Sequence, residues 1–192
     1  MKVKIAPGTL MLTLLLCLSG GAKLPATLIA ALVHELGHLS AARLLGVRIG
    51  VMEIDLFGAK LYPEGLLPSF GTELCLAAAG PLFSLLLSLF FAPYTGVFFQ
   101  TVALSSLSLG LFNLLPIGEF DGGRILHATL SCFFEDGTAH RALSAATYLS
   151  LLILFSLSSC LLLRYGQNLS LAVLSATLFA KFFLNNEKAA LS

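Results

Sequence analysis

The chain has 192 residues, 57% of them hydrophobic and only 11% charged, with a mean hydropathy of +0.94. Soluble domains carry about 25% charged residues, so the composition excludes one and indicates an integral membrane protein. The formal net charge of +1 argues neither for nor against nucleic acid, and no nucleic-acid partner is expected.

Apolar runs separated by polar or Gly/Pro punctuation predict six spans, at about 5–22, 24–45, 72–92, 96–116, 142–163 and 168–184. A single domain over 1–192 is expected, with no appended CBS or PDZ module. The first run, IAPGTLMLTLLLCLSGGA, follows Lys2 and Lys4 and also has the make-up of a signal peptide. The span reading is favoured because the second run starts two residues later and needs a partner to return across the bilayer.

The second run contains LVHELGHLSAA, residues 32–42, and carries His34, Glu35 and His38 into apolar surroundings. A charged side chain at mid-bilayer costs roughly 2.5–3.5 kcal/mol on insertion scales, so such residues usually face the protein interior and serve a function. Residues four apart share a helix face, so His34 and His38 can present two imidazoles to one metal ion. Glu35, one step round, reaches the open position of that ion. This is the H-E-x-x-H arrangement of zinc peptidases, in which the glutamate moves the proton of the attacking water.

Residues 47–65, VRIGVMEIDLFGAKLYPEG, are too polar for a span. Val47, Ile49 and Val51 alternate with polar positions and Gly50, and the phase flips at Met52 so that Ile54 and Leu56 alternate with Glu53 and Asp55. This predicts strand, bulge, strand, then a turn at Gly58 and Ala59, and so a small hairpin over 47–62 at the membrane face. A plain polar loop is the competing reading. Because an added strand satisfies backbone groups without demanding a sequence, Val51 and Ile54 are candidate substrate contacts, as is Asn113. In the third run, Gly80 and Pro81 mark a kink or a close helix contact.

The fourth run breaks within FNLLPIGEFDGGRIL, residues 112–126. Pro116 cannot continue a regular helix, and Gly118, Gly122 and Gly123 permit a turn that returns Asp121 to the bundle. Asp121 is the candidate third metal ligand, ahead of Glu119 and His127. His140, beside Arg141, is placed in a polar loop and solvated. Cys17, Cys75, Cys132 and Cys160 form no C-x-x-C pair and read as small buried hydrophobes. With a cytoplasmic N-terminus, Lys2, Lys4, Arg43, Arg48, Lys60, Arg124, Arg141, Lys181 and Lys188 fall inside and only Lys23 and Arg164 outside. The expected fold is an all-α polytopic cell-membrane protein with about six transmembrane helices, a small membrane-associated β-hairpin, and both termini cytoplasmic.

His34-Glu35-x-x-His38, Asn113-Leu-Leu-Pro116 and Asp121-Gly122 together resemble the site-2 protease family of intramembrane zinc metalloproteases, in particular the stage IV sporulation protein FB group. Ala79-Gly80-Pro81-Leu82-Phe83-Ser84 resembles that family's Gly-x-x-x-Asn/Ser/Gly element. The resemblance implies one Zn2+ ion held by His34, His38 and Asp121, with Glu35 as catalytic base. It also implies cleavage in or near a transmembrane or membrane-associated segment of a partner protein, such as a sigma-factor precursor, with inhibitory membrane proteins as further partners. Two differences stand out: Glu119 lies where relatives often have proline, either solvated or tuning the site, and the C-terminal nucleotide-sensing CBS domain common in sporulation relatives is not expected. A zinc channel or transporter and an inactive membrane scaffold are the competing functions; Glu35 beside His34 favours the enzyme.

Overall fold

The computed structural model describes residues 2–5, 24–55, 58–65, 69–165 and 169–191. In chain order the elements are β1 (Lys2–Ile5), α1 (Leu24–Leu44), β2 (Ile49–Asp55), β3 (Gly58–Pro63), α2 (Phe70–Phe91), α3 (Val97–Asn113), α4 (Asp121–Ser131), α5 (Asp136–Tyr165) and α6 (Leu169–Leu191). The first predicted span lies outside the described residues, apart from Ile5.

Helix α1 turns an ordinary amphipathic helix inside out. Its buried face runs Ala26, Ala30, His34, His38 and Ala42 at four-residue steps, with Gly37 beside it. Leu32 and Leu36 point outward, 63% and 52% exposed. A water-soluble helix buries its leucines, whereas small residues facing inward and leucines facing outward suit a bundle in lipid. The small face lets α1 lie close against α2, and a Cβ on Gly37 would come within 2.6 Å of the Ala79 carbonyl oxygen. Helix α2 repeats the pattern, burying Ala77, Gly80, Ser84 and Ser88 and exposing Leu82, Leu86 and Leu89.

Among the described helices, α2 and residues 136–164 of α5 are each long and apolar enough to cross a membrane. Of the six expected spans, two, at about 72–92 and 142–163, correspond to such helices. Helix α1, 21 residues long, is diluted by His34, Glu35, His38 and Arg43, and α3 is a shorter apolar helix of 17 residues.

Helices α1, α2 and α3 pack against one another, α4 packs on α2 and α5, and α5 packs on α6. Ser158 of α5 and Ser175 of α6, both fully buried, join their hydroxyls at 3.0 Å. Strands β2 and β3, which follow α1, join β1 from before it in a three-stranded sheet in the order β1-β2-β3, with β1 parallel to β2 and β3 antiparallel to it. The hairpin is present, but its register slips between Ile49 and Val51, so the bulge falls at Gly50 and not at Met52. Val51 and Ile54 lie on the central strand, where Val51 faces Lys2 and Tyr62 and Ile54 faces Ile5 and Ala59. They therefore offer no free edge to a substrate. Among the described residues that edge belongs to β1 and β3.

Two further departures concern the segment after α3. Asp121 opens a helix, α4, where a turn was expected. Gly122 and Gly123 are needed there for closeness, not for an unusual backbone angle: Cβ atoms would overlap the carbonyl oxygens of Leu114 and Ile117 respectively. Helix α5 starts at Asp136, so His140 and Arg141 lie in its first turns and not in a loop. His140 is nonetheless exposed. Cys75, Cys132 and Cys160, expected to be buried, are exposed as well.

Candidate metal centre

The site is built where α1 meets the N-terminus of α4. Helix α3 ends at Asn113, and residues 114–120 carry the chain round to Asp121. Thr147 of α5 pins that loop, its hydroxyl accepting the Gly118 N–H at 3.1 Å and donating to the Pro116 carbonyl at 3.4 Å. Ile117 and Phe120, both buried, anchor it in an apolar cluster with Leu151, Leu154 and Leu178. Asp121 is thereby held against α1 as the first residue of α4.

His34, His38 and Asp121 are all buried and form a group able to hold a metal, each offering one ligand atom within 4.8 Å of the others. Asp121 Oδ2 lies 3.2 Å from His34 Nε2 and 3.1 Å from His38 Nε2, and the two Nε2 atoms are 3.3 Å apart. His38 Nδ1 lies 2.8 Å from the Leu76 carbonyl, which can only accept, so this nitrogen carries the proton and leaves Nε2 bare in the neutral ring. His34 Nδ1 lies 2.9 Å from Ser84 Oγ, which lets His34 take the same form. Two bare imidazole nitrogens and a carboxylate oxygen are three acceptors aimed at one point, and a cation satisfies all three.

Size agrees with zinc. A tetrahedral ion at roughly 2.0–2.2 Å from nitrogen and oxygen needs ligand atoms about 3.3–3.6 Å apart. The observed 3.1, 3.2 and 3.3 Å lie within a few tenths of an ångström of that. Gly80 supplies the room, since a Cβ there would overlap His38 Nε2 and lie 2.8 Å from His34 Nε2.

The other candidates fall elsewhere. Glu35, half-buried, follows His34 on α1 and is not one of the three residues grouped to hold a metal. Glu119 pairs with Lys181 of α6 at 3.0 Å and is not part of the His-His-Asp group. His127 faces Asp136 at 3.5 Å. Asn113 Nδ2 donates to the Leu109 carbonyl of its own helix at 3.1 Å, so its amide is engaged within α3.

The contacts of Leu76, Glu73 and Arg124 were not legible as such, whereas Ser84 ends the Gly-x-x-x-Ser element that the resemblance marked. For the α2 residues the further signal is spacing: 73, 76, 80 and 84 share a face, and Gly80, Ser84 and Ser88 are small residues at four-residue steps.

Residues 93–157, which include Asp121 but not the two histidines, match Peptidase family M50. A zinc metalloprotease of Methanocaldococcus jannaschii is 34% identical over 113 residues, 54% of this chain and 32% of that protein. Rip3, a candidate zinc metalloprotease of Mycobacterium tuberculosis, is 36% identical over 124 residues, 58% of this chain and 31% of that protein. The matched part is thus about a third of the length of these relatives. The fold resembles the solved site-2 protease from Methanocaldococcus jannaschii with a TM-score of 0.65 at 24% identity, over 95% of this chain and 89% of that one. The family match covers about a third of the chain, the curated relatives are named zinc metalloproteases, the fold is that of the solved protease, and the buried His-His-Asp group of this chain fits a zinc ion.

Proposed function

We propose that the chain is an intramembrane zinc metalloprotease that hydrolyses a peptide bond in or beside a membrane segment of a partner protein. One observation carries this reading: three acceptor atoms from α1 and α4 converge within 3.1–3.3 Å inside a bundle that turns leucines outward. His34, His38 and Asp121 would hold the ion, and the chain would form a single domain. When bound, zinc polarises the scissile carbonyl and lowers the pKa of water from about 15.7 towards roughly 7.

The remaining steps belong to the protein. Glu35 accepts a proton from the attacking water as its oxygen bonds to the carbonyl carbon, then passes that proton to the amine nitrogen as the C–N bond breaks. The Leu76 carbonyl and Ser84 Oγ hold the two imidazoles in the form that leaves Nε2 bare. The stage IV sporulation protein FB likeness makes a membrane-associated sigma-factor precursor one substrate class to try, and the bias of Lys and Arg supports cytoplasmic termini in a multi-pass cell-membrane protein.

The test is Glu35→Gln, assayed for zinc content and for cleavage of a reconstituted membrane substrate. Zinc should remain while the rate falls by on the order of 10²–10⁴, the usual size of general-base catalysis. Cleavage at the wild-type rate would refute Glu35 as base, and zinc flux into vesicles without peptide cleavage would favour a transporter.

A further inference from the structure

One face of α2 reaches both histidines directly, through the Leu76 carbonyl and Ser84 Oγ. The third ligand, Asp121, lies on α4, and it too is tied to that face. Arg124, one turn after Asp121, places Nη1 3.6 Å from Asp121 Oδ1 and Nε 2.8 Å from Glu73 Oε1 in the first turn of α2. The two carboxylate oxygens of Asp121 are thus divided: Oδ1 towards the guanidinium, Oδ2 towards both imidazoles.

We propose that Arg124, braced by Glu73, is a positioning residue that turns the Asp121 carboxylate so that only Oδ2 faces the metal. The inference rests on the metal-centre reading above. A carboxylate at the mouth of a metal site can swing to offer either oxygen or both. A guanidinium resists that swing, because its planar fork engages one carboxylate through Nη and another through Nε at fixed geometry. Lysine, a single point charge, cannot span Glu73 and Asp121 in the same way. The brace also locks α4 to α2, so that all three ligands take their orientation from residues 73, 76 and 84 on one helix face.

The experiment uses the full chain in detergent micelles and measures Zn2+ affinity by chelator competition, the visible spectrum of the Co2+ form, and the melting temperature of the metal-free protein. Outer contacts of metal ligands are typically worth 10–100-fold in metal affinity. Arg124→Gln should therefore weaken Zn2+ binding by about that factor and shift the Co2+ spectrum, with only a small fall in metal-free melting from the lost brace, since a part-exposed ion pair is worth about 0–1 kcal/mol. Arg124→Lys should restore only part of the affinity, and Glu73→Gln should weaken it less than Arg124→Gln. Wild-type affinity and spectrum in Arg124→Gln would overturn the proposal, as would affinity losses that track losses of metal-free melting temperature across the three variants. Asp121→Ala is the control: if it binds Zn2+ as tightly as wild type, the metal-centre reading itself fails and takes this inference with it.

Discussion

Adding one methyl group at Gly80 is expected to abolish the metal centre while leaving the helix that carries it intact. Alanine is the better helix former by about 1 kcal/mol, so α2 itself should gain. The damage is across the interface. A Cβ at Gly80 would stand 2.5 Å from His38 Cε1 and 2.8 Å from His34 Nε2, whereas comfortable heavy-atom contact needs about 3.5–4.0 Å. His34 must withdraw by at least about 0.7 Å, and His38 by more, while ligand atoms must keep their places to about 0.2 Å. Neither ring can yield easily, since His38 Nδ1 is tied to Leu76 and His34 Nδ1 to Ser84, both on the same helix as the new methyl. Zinc affinity should drop by on the order of 10²-fold or more, because displacing two ligand rings disturbs the site more than loss of an outer contact, which already costs about 10–100-fold. The assay is zinc retained after chelator dialysis, with circular dichroism as the check on helix content. Gly137→Ala is the matched control, because a Cβ there meets nothing within 4 Å. If Gly80→Ala keeps wild-type zinc and wild-type helicity, α1 and α2 do not lie this close and the reasoning fails.

Three further outcomes are expected. Asp121→Ala should lose zinc, while Glu119→Ala, which breaks the pair with Lys181, should keep it; the reverse result in metal analysis would identify the wrong carboxylate. Thr147→Val removes the hydroxyl that ties Gly118 and Pro116 to α5 and should lower stability by about 1 kcal/mol, the usual net worth of a hydrogen bond; an unchanged melting temperature in detergent argues that the loop is held by Ile117 and Phe120 alone. If a substrate strand pairs with the outer edge of β3, backbone N-methylation of substrate residues near the cut should slow cleavage at every second position, and helix-breaking glycines should speed it; equal rates across an N-methyl scan would show that entry takes another route.

How much was legible depends on whether a signal was local. H-E-x-x-H declares itself because both histidines and the glutamate lie within one and a half turns, in a run where polar groups are costly. The end of α3 before Pro116 was legible for the same reason: proline cannot continue the ladder. Lys2 to Ile5 was read as the basic lead of a span although its alternation, Lys-Val-Lys-Ile, is a strand period. What makes it a strand is pairing with residues 51–54, nearly fifty positions away. The same long-range pairing moved Val51 and Ile54 from a presumed edge to the centre of the sheet.

The glycines show the limit most clearly, because one residue type answers to two different demands. A glycine in a turn suggests freedom of backbone angle, and Gly122 and Gly123 after Pro116 invite that reading. Both prove helical, and what they supply is the absence of a Cβ where α4 crosses the carbonyls of Leu114 and Ile117. Gly80 is the same case on α2, with imidazoles as the neighbours. Nothing within a few residues of these positions distinguishes freedom from closeness; the deciding atoms belong to other segments of the chain. Once the close approach is granted, its consequence is chemical. Only with α1 pressed onto α2 can the Leu76 carbonyl and Ser84 reach the far nitrogens of the two rings, and only with α4 pressed onto the 114–117 turn does Asp121 arrive opposite them. The small residues that look least reactive in this sequence are what bring its reactive ones within 3.3 Å of each other.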